Sequence, residues 1–338
     1  MTPSHLHFRA AALVAVLSST ALLVSCAFAG SVTPVPERVK IAYLPVVHSL
    51  PLYLALEKGY FAEEGLEVET ITFEAPNQLI DSLLSGQAHI GISAATGIIA
   101  VSQTKKPESL KIFGVSGAER GKVGTRNEAF LVGRDSTVAS IADLRGKKLG
   151  VLPGIQWRTI ARDILSRHGI QSEQDITLVE LAVPLQAQAL GSGQVDALLA
   201  IEPVPTVVVS KGIGRVLVDS PTLTEIGDPF YAGSYVANTT FLAEHPETAR
   251  KILDVFAKAT EEIMNDPDAA RPYLQGYTPL DHGLIQQVPM LTWKMRDDLT
   301  ASDIQGLQAF FDIFSEHGVI DGPVDASRLL IPAAGDGR

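Results

Sequence analysis

The residues best suited to hold a small solute are His48, Asn77, Ser93, Thr96, Gly154, Gln156, Trp157, Arg158 and Glu202, all just past apolar runs. Several lie where helices should begin, and a helix start offers free backbone N–H groups and the positive end of a dipole to an anionic group. Trp157 beside Arg158 supplies an aromatic plate and a planar, permanently charged donor set. Glu202 is followed by Pro203, which keeps its backbone out of the helical region. A carboxylate there suits an amine or ring N–H and pulls against a purely anionic solute. Each residue also has a plainer reading: Ser93, Thr96 and Asn77 as helix caps, His48 as a surface histidine, Trp157 and Arg158 as lobe surface.

No catalytic pattern accompanies them. The chain has no Walker phosphate loop, no His-Glu-x-x-His and no Gly-x-Ser-x-Gly elbow. Its 8 histidines are scattered, without metal-ligand spacing, and no cofactor motif is present. A binding module is therefore the first reading. A hydrolase using Ser, His and Glu near the same cleft is the competing one.

Two strand-helix-strand units must position these residues. The first covers residues 40–92: an apolar run at 41–44 stops at Pro45, an amphipathic segment follows, Gly65 opens a second strand, and Pro76 starts another helix that ends at Ser85 and Gly86. Such units imply parallel strands and right-handed crossovers. The pattern returns from Leu149, with Ser192, Gly193, Gln194, Val195, Asp196 and Ala197 in the places of Ser85, Gly86, Gln87, Ala88, His89 and Ile90. This is an internal duplication with a period of roughly a hundred residues, right for two similar lobes. A glycine- and charge-rich loop spans 117–128, a strand at 129–132 closes the first lobe, and a strand at 231–237 returns the chain to it. The expected boundaries are lobe one at 38–133 and 228–338 and lobe two at 134–227. A late helix capped by Ser302 carries Ile304, Leu307, Phe310, Phe311 and Phe314 on one stripe, a core pattern. In open parallel sheets a ligand sits beyond the carboxyl ends of the strands, so the two lobes should share one cleft.

The balance is acidic, a net charge of −11 with 46% apolar and 19% charged residues, and there is no basic run, which excludes a nucleic-acid footprint. Residues 1–30 read as an export signal: Arg9 precedes an apolar run at 10–24 that is too short to span a membrane. Leu23, Val24, Ser25 and Cys26 fit a bacterial lipobox with Cys26 lipidated, while Ala27, Phe28 and Ala29 fit ordinary signal-peptidase cleavage. A spacer follows at 31–37. Cys26 is the single cysteine, so disulfides, thiolate metal sites and cysteine nucleophiles drop out together.

The block Pro51, Leu52, Tyr53, Leu54, Ala55, Leu56, Glu57, Lys58, Gly59, Tyr60, Phe61, then Gly65 and Leu66, resembles the opening of nitrate/sulfonate/taurine-type (NitT/TauT) solute-binding proteins of bacterial ABC importers. These belong to a superfamily that includes thiamine-pyrimidine synthases. Weaker matches at 85–92, 143–154, 192–197, Glu202 with Pro203, and 238–246 extend the likeness over nearly all the mature chain. The resemblance implies an α/β, type II periplasmic-binding fold: two lobes with mainly parallel sheets joined by a two-segment hinge. It implies a monomer outside the cytoplasm, in the periplasm and anchored by lipid in the lipobox reading. Its partners would be a small solute and the membrane subunits of an ABC permease. Relatives bind sulfonates, taurine, nitrate, bicarbonate, aromatic acids or thiamine-pyrimidine precursors. An organic anion such as a sulfonate or taurine ranks first here, a thiamine-pyrimidine-like heterocycle second. A related eukaryotic group makes that pyrimidine enzymatically, but with a cysteine-rich motif absent from this chain.

Overall fold

The computed structural model describes residues 37–121 and 126–334. Both cleavage readings and Cys26 lie outside them. Among the described residues eleven strands form two sheets. They are β1 (Glu37–Tyr43), β2 (Leu66–Thr72), β3 (Ile90–Ala95), β4 (Leu110–Ala118), β5 (Glu128–Gly133), β6 (Lys148–Val151), β7 (Thr177–Glu180), β8 (Ala197–Ile201), β9 (Gly214–Asp219), β10 (Phe230–Asn238) and β11 (Thr292–Met295). The first sheet has the order β11-β4-β10-β3-β1-β2 and the second β7-β6-β8-β5-β9.

The duplication is visible in this order. In the first sheet β1 pairs in parallel with β2 and β3, through helices α1 (Leu50–Glu57) and α2 (Pro76–Leu84). In the second, β6 pairs in parallel with β7 and β8. After α3 (Thr96–Lys105), the matching crossovers are α4 (Ile155–Arg167) and α5 (Val183–Gly191). Both α2 and α5 carry proline in the first turn, where a missing N–H costs nothing. The third strand of each half, β3 and β8, is buried throughout, as expected for a strand covered on both faces.

Three expectations change. The run at 129–132 lies in the second sheet, as β5, paired antiparallel with β8 and β9. Its apolar sequence says that it is a buried strand but not which sheet will bury it. The sheets are mixed, because β5 and β10 enter antiparallel beside β8 and β3. Each crossing strand thus completes the sheet opposite the one it has just left. Finally, Thr300 rather than Ser302 caps helix α7 (Ala301–Glu316), in a reciprocal box with Asp303, after α6 (Pro246–Asn265).

The phenylalanine stripe of α7 is core: Phe310, Phe311 and Phe314 are buried with the apolar faces of both sheets. The other face of the first sheet is covered by α1 and α6, where Phe61, Phe113, Tyr235 and Phe256 pack ring on ring.

Gly117 marks where β4 runs closest to β10. A Cβ there would collide with the backbone carbonyl of Phe230 and lie 2.7 Å from Tyr231 Cα, beside the register shift between Phe230 and Gly233. Backbone gives way less readily than a side chain, so Gly117→Ala should cost about 1–3 kcal/mol or more. A denaturant melt should show a lowered midpoint with an unchanged slope.

Candidate functional site

Strands β1, β3, β6 and β8 end at one cavity. Leu44 follows β1, Ser93 and Ala95 belong to β3, Leu152 follows β6 and Ile201 closes β8; His48, Pro76, Gln156, Trp157, Ala232 and Gly233 complete the lining. At about 20 Å³ it has room for about one water. A larger, open recess of about 290 Å³ near His89, Phe241 and His245 lies at the amino end of β3, away from the strand ends where the candidate residues meet.

Six predicted residues are at this cavity or across its seam. His48 is buried, its Nδ1 2.8 Å from Ser116 Oγ, and its backbone carbonyl accepts from Trp293 Nε1 at 3.1 Å. Ser93 lines the cavity with φ at +62°, a left-handed conformation inside a strand, next to irregular β3–β10 pairing. Gly154 faces Asn77 so closely that a Cβ would lie 2.6 Å from Asn77 Oδ1. Gln156 Oε1 accepts from the Gly97 N–H at 2.8 Å and its Nε2 donates to the Ala232 carbonyl at 3.1 Å. Trp157 is 2% exposed and forms one wall. Thr96 lies just behind, its hydroxyl 2.7 Å from Ser234 Oγ.

The capping readings do not describe these residues. Ala75 and Ala95 occupy the N-cap positions of α2 and α3 without side-chain bonds, so Asn77, Ser93 and Thr96 are free of that role.

Arg158 and Glu202 stand apart. Arg158, half-exposed, pairs with Glu180 at the end of β7. One residue along a helix is about a 100° turn, so burying Trp157 carries Arg158 away from the cavity. Glu202 is fully buried outside the lining, its Oε1 accepting from Arg126 Nε at 2.9 Å and its Oε2 from the Thr206 N–H at 3.3 Å. Burial pushes its carboxyl above the usual range, and Arg126 pulls it back.

Sequence reasoning missed Arg126, Asn127, Ala232, Gly233 and Ser234. The last three belong to β10, which runs antiparallel and therefore brings its beginning, not its end, to the cleft. A signal was present: Gly233 is a glycine inside a strand buried throughout. A Cβ there would lie 2.6 Å from Ser116 Oγ and 2.8 Å from His48 Nδ1. The buried Asn127 amide stands beside the His48 ring, with Oδ1 outside bonding geometry to any described donor.

These groups can hold a solute but are poorly placed to attack one. Burial pushes His48 down to about 4, so the imidazole is neutral and a weak base. Ser116 is fully buried beneath Gly233 and does not line the cavity.

Residues 47–270 match the family described as NMT1/THI5 like. A 4-amino-5-hydroxymethyl-2-methylpyrimidine phosphate synthase of Aspergillus parasiticus is 26% identical over 249 residues, 68% of each chain. A protein of Bacillus subtilis provisionally named as aliphatic sulfonates-binding is 24% identical over 284 residues, 83% of this chain and 82% of its own. Among solved structures, the alkanesulfonate-binding protein SsuA from Xanthomonas axonopodis pv. citri, bound to MOPS, superposes with a TM-score of 0.71 at 20% identity. The match covers 88% of this chain and 99% of that one. It identifies the fold as that of periplasmic binding proteins.

The buried imidazole has a consequence for stability. Its folded pKa of about 4 lies below its ordinary 6.5, so protons favour the unfolded chain. Stability is full above about pH 6.5 and falls as the pH drops toward 4, by at most about 3 kcal/mol. Glu128 and Glu202, raised by burial, work in the opposite sense, since the folded chain takes up their protons more readily. The His48 effect is therefore a difference: unfolding free energy measured from pH 7 to 4 should decline less for His48→Gln than for the native chain.

Proposed function

The chain belongs to the NMT1/THI5-like family, and we propose that within it this protein is the extracytoplasmic solute-binding component of an ABC importer. The observation that carries the reading is the convergence of β1, β3, β6 and β8 on one cavity, with a side chain of the second lobe bonded directly to the backbone of the first. Two lobes joined by two crossings suit closure around a solute. The apolar leader and Cys26 support export, with lipid anchoring in the lipobox reading.

An aliphatic sulfonate or similar organic anion is the first solute class. Trp157 offers an apolar wall for a carbon chain, and hydroxyls and backbone amides can hold diffuse negative charge without a cation. The names of the Bacillus subtilis relative and of SsuA support this class. A neutral nitrogen heterocycle is the second reading, and one observation favours it: both guanidiniums near the cleft, Arg126 and Arg158, are already paired with carboxylates, and His48 is neutral. The Aspergillus parasiticus synthase lends that reading its name. Binding is preferred to turnover because the Ser116 hydroxyl is enclosed and His48 is a weak base.

The test is a thermal-shift panel of sulfonates, carboxylates and pyrimidines on purified mature protein, with mass spectrometry of the recovered ligand. A stabilising sulfonate recovered unchanged is expected; steady conversion of the ligand would sink the binding reading. Trp157→Ala should weaken affinity at least about tenfold, or about 1.4 kcal/mol. Arg158→Ala should change it by less than about twofold, since its guanidinium serves Glu180. Loss of binding with Arg158→Ala would mean the solute sits elsewhere.

A further inference from the structure

Helix α4 brings its first turn against three elements of the first lobe. Gly154 meets Asn77 on α2, and Gln156, 2% exposed, reaches both α3 and β10. Gly97 is the second residue of α3, so its N–H has no partner within the helix, and the Gln156 carbonyl supplies one. The Ala232 carbonyl lies where the β10–β4 register shifts, and the Gln156 amide donates to it. Behind this contact the Phe314 ring fills the space a Cβ on Gly97 would need, which pins the start of α3. The first lobe thus presents one backbone donor and one backbone acceptor side by side, and a carboxamide from the second lobe meets both.

We propose that the Gly97 N–H and the Ala232 carbonyl form a subsite for a carboxamide, or a group with the same adjoining acceptor and donor. Gln156 fills it from within the chain as a clasp that closes the cleft. The pair is selective. A carboxylate or sulfonate satisfies Gly97 but sets a second acceptor against the Ala232 carbonyl, and an ammonium does the reverse. Because the cavity beneath holds about 20 Å³, a solute larger than about one water enters only when the clasp gives way. Gln156 therefore competes with solute for the closed arrangement. This last step rests on the solute-binding reading, whereas the clasp itself is tested without any solute.

The test compares wild type, Gln156→Ala and Gln156→Glu by small-angle scattering and by hydrogen exchange of the peptide spanning the start of α3. Gln156→Ala should have a larger radius of gyration and at least about tenfold faster exchange at Gly97. Acetamide at high concentration should return it to wild-type compaction, and acetate or methanesulfonate at the same concentration should not. Gln156→Glu should be open at neutral pH, because a carboxylate cannot donate to Ala232. It should close on acidification, relative to wild type at the same pH, as the protonated carboxyl regains a donor. The proposal is overturned if Gln156→Ala is as compact and protected as wild type, or if acetate restores it as well as acetamide. Should the alanine variant fail to fold, the acid-dependent closure of Gln156→Glu decides, and its absence overturns the clasp.

Discussion

A buried carboxylate, held by neutral donors and by no cation among the described residues, fastens the two crossings between the sheets to each other. Glu128, just past the first crossing, accepts from the Thr222 N–H at 2.9 Å, the Thr222 hydroxyl at 2.6 Å and Asn127 Nδ2 at 2.6 Å, while its own carbonyl accepts from the Ser220 N–H at 3.0 Å. Ser220 and Thr222 begin the second crossing. Burial pushes the carboxyl up, and these donors are what pull it back toward the charged form. Near the first sheet the Arg120 N–H donates to Asp228 Oδ1 at 3.0 Å, bracing the same pair of segments again. The crossings therefore act as one two-stranded connection, and the geometry of the cleft between the sheets follows from where that connection is held.

That bracing explains the electrical character of the cleft. The crossings and their surroundings bury Glu202 and Asp303 with cations of the chain itself, Glu202 with Arg126 and Asp303 with Lys294 at 2.8 Å and the Tyr231 hydroxyl at 2.6 Å, while Glu128 is held by neutral donors. A buried charge left without a partner costs several kcal/mol, so an ion matched internally is not readily lent to a solute. What remains at the cavity is a set of dipoles and neutral groups: helix-start amides, hydroxyls, the uncharged His48 and the Trp157 face. Such a lining can bind without paying to strip a cation of its partner. In the proposed solute-binding role, hydrogen-bond direction, more than net charge, is then the property a solute would have to match.

How far this was legible in the sequence depends on the kind of information each feature needs. Periodicity and punctuation are local, so the strand ending at Pro45, the turn at Ser85 and Gly86, and its echo at Ser192 and Gly193 are readable along the chain, and the order of parallel strands in both sheets agrees with them. Sheet membership is not local: the run at 129–132 is apolar on both faces in either sheet, and only pairing with β8 and β9 assigns it. The same gap governs the site. A rule that looks past the carboxyl ends of strands finds His48, Ser93 and Gln156. It cannot find Ala232 and Gly233, because a crossing strand enters with the opposite sense. Trp157 and Arg158 look like a pair in the sequence because they are adjacent, yet adjacency in a helix separates them, and packing decides which one faces inward.

Whether such a scaffold binds or reacts turns on small differences of access rather than on which residue types are present. Ser116 and His48 lie at hydrogen-bond distance with Asn127 at hand, a combination that in an open site could activate a hydroxyl. Here Gly233 lets the β10 backbone close over the pair, so the same missing side chain that makes the close approach possible also seals the hydroxyl from solute. Burial then lowers the affinity of His48 for a proton and with it the strength of the base. The imidazole is left neutral, one ring nitrogen fixed by Ser116 and a flat, uncharged edge lining the cavity.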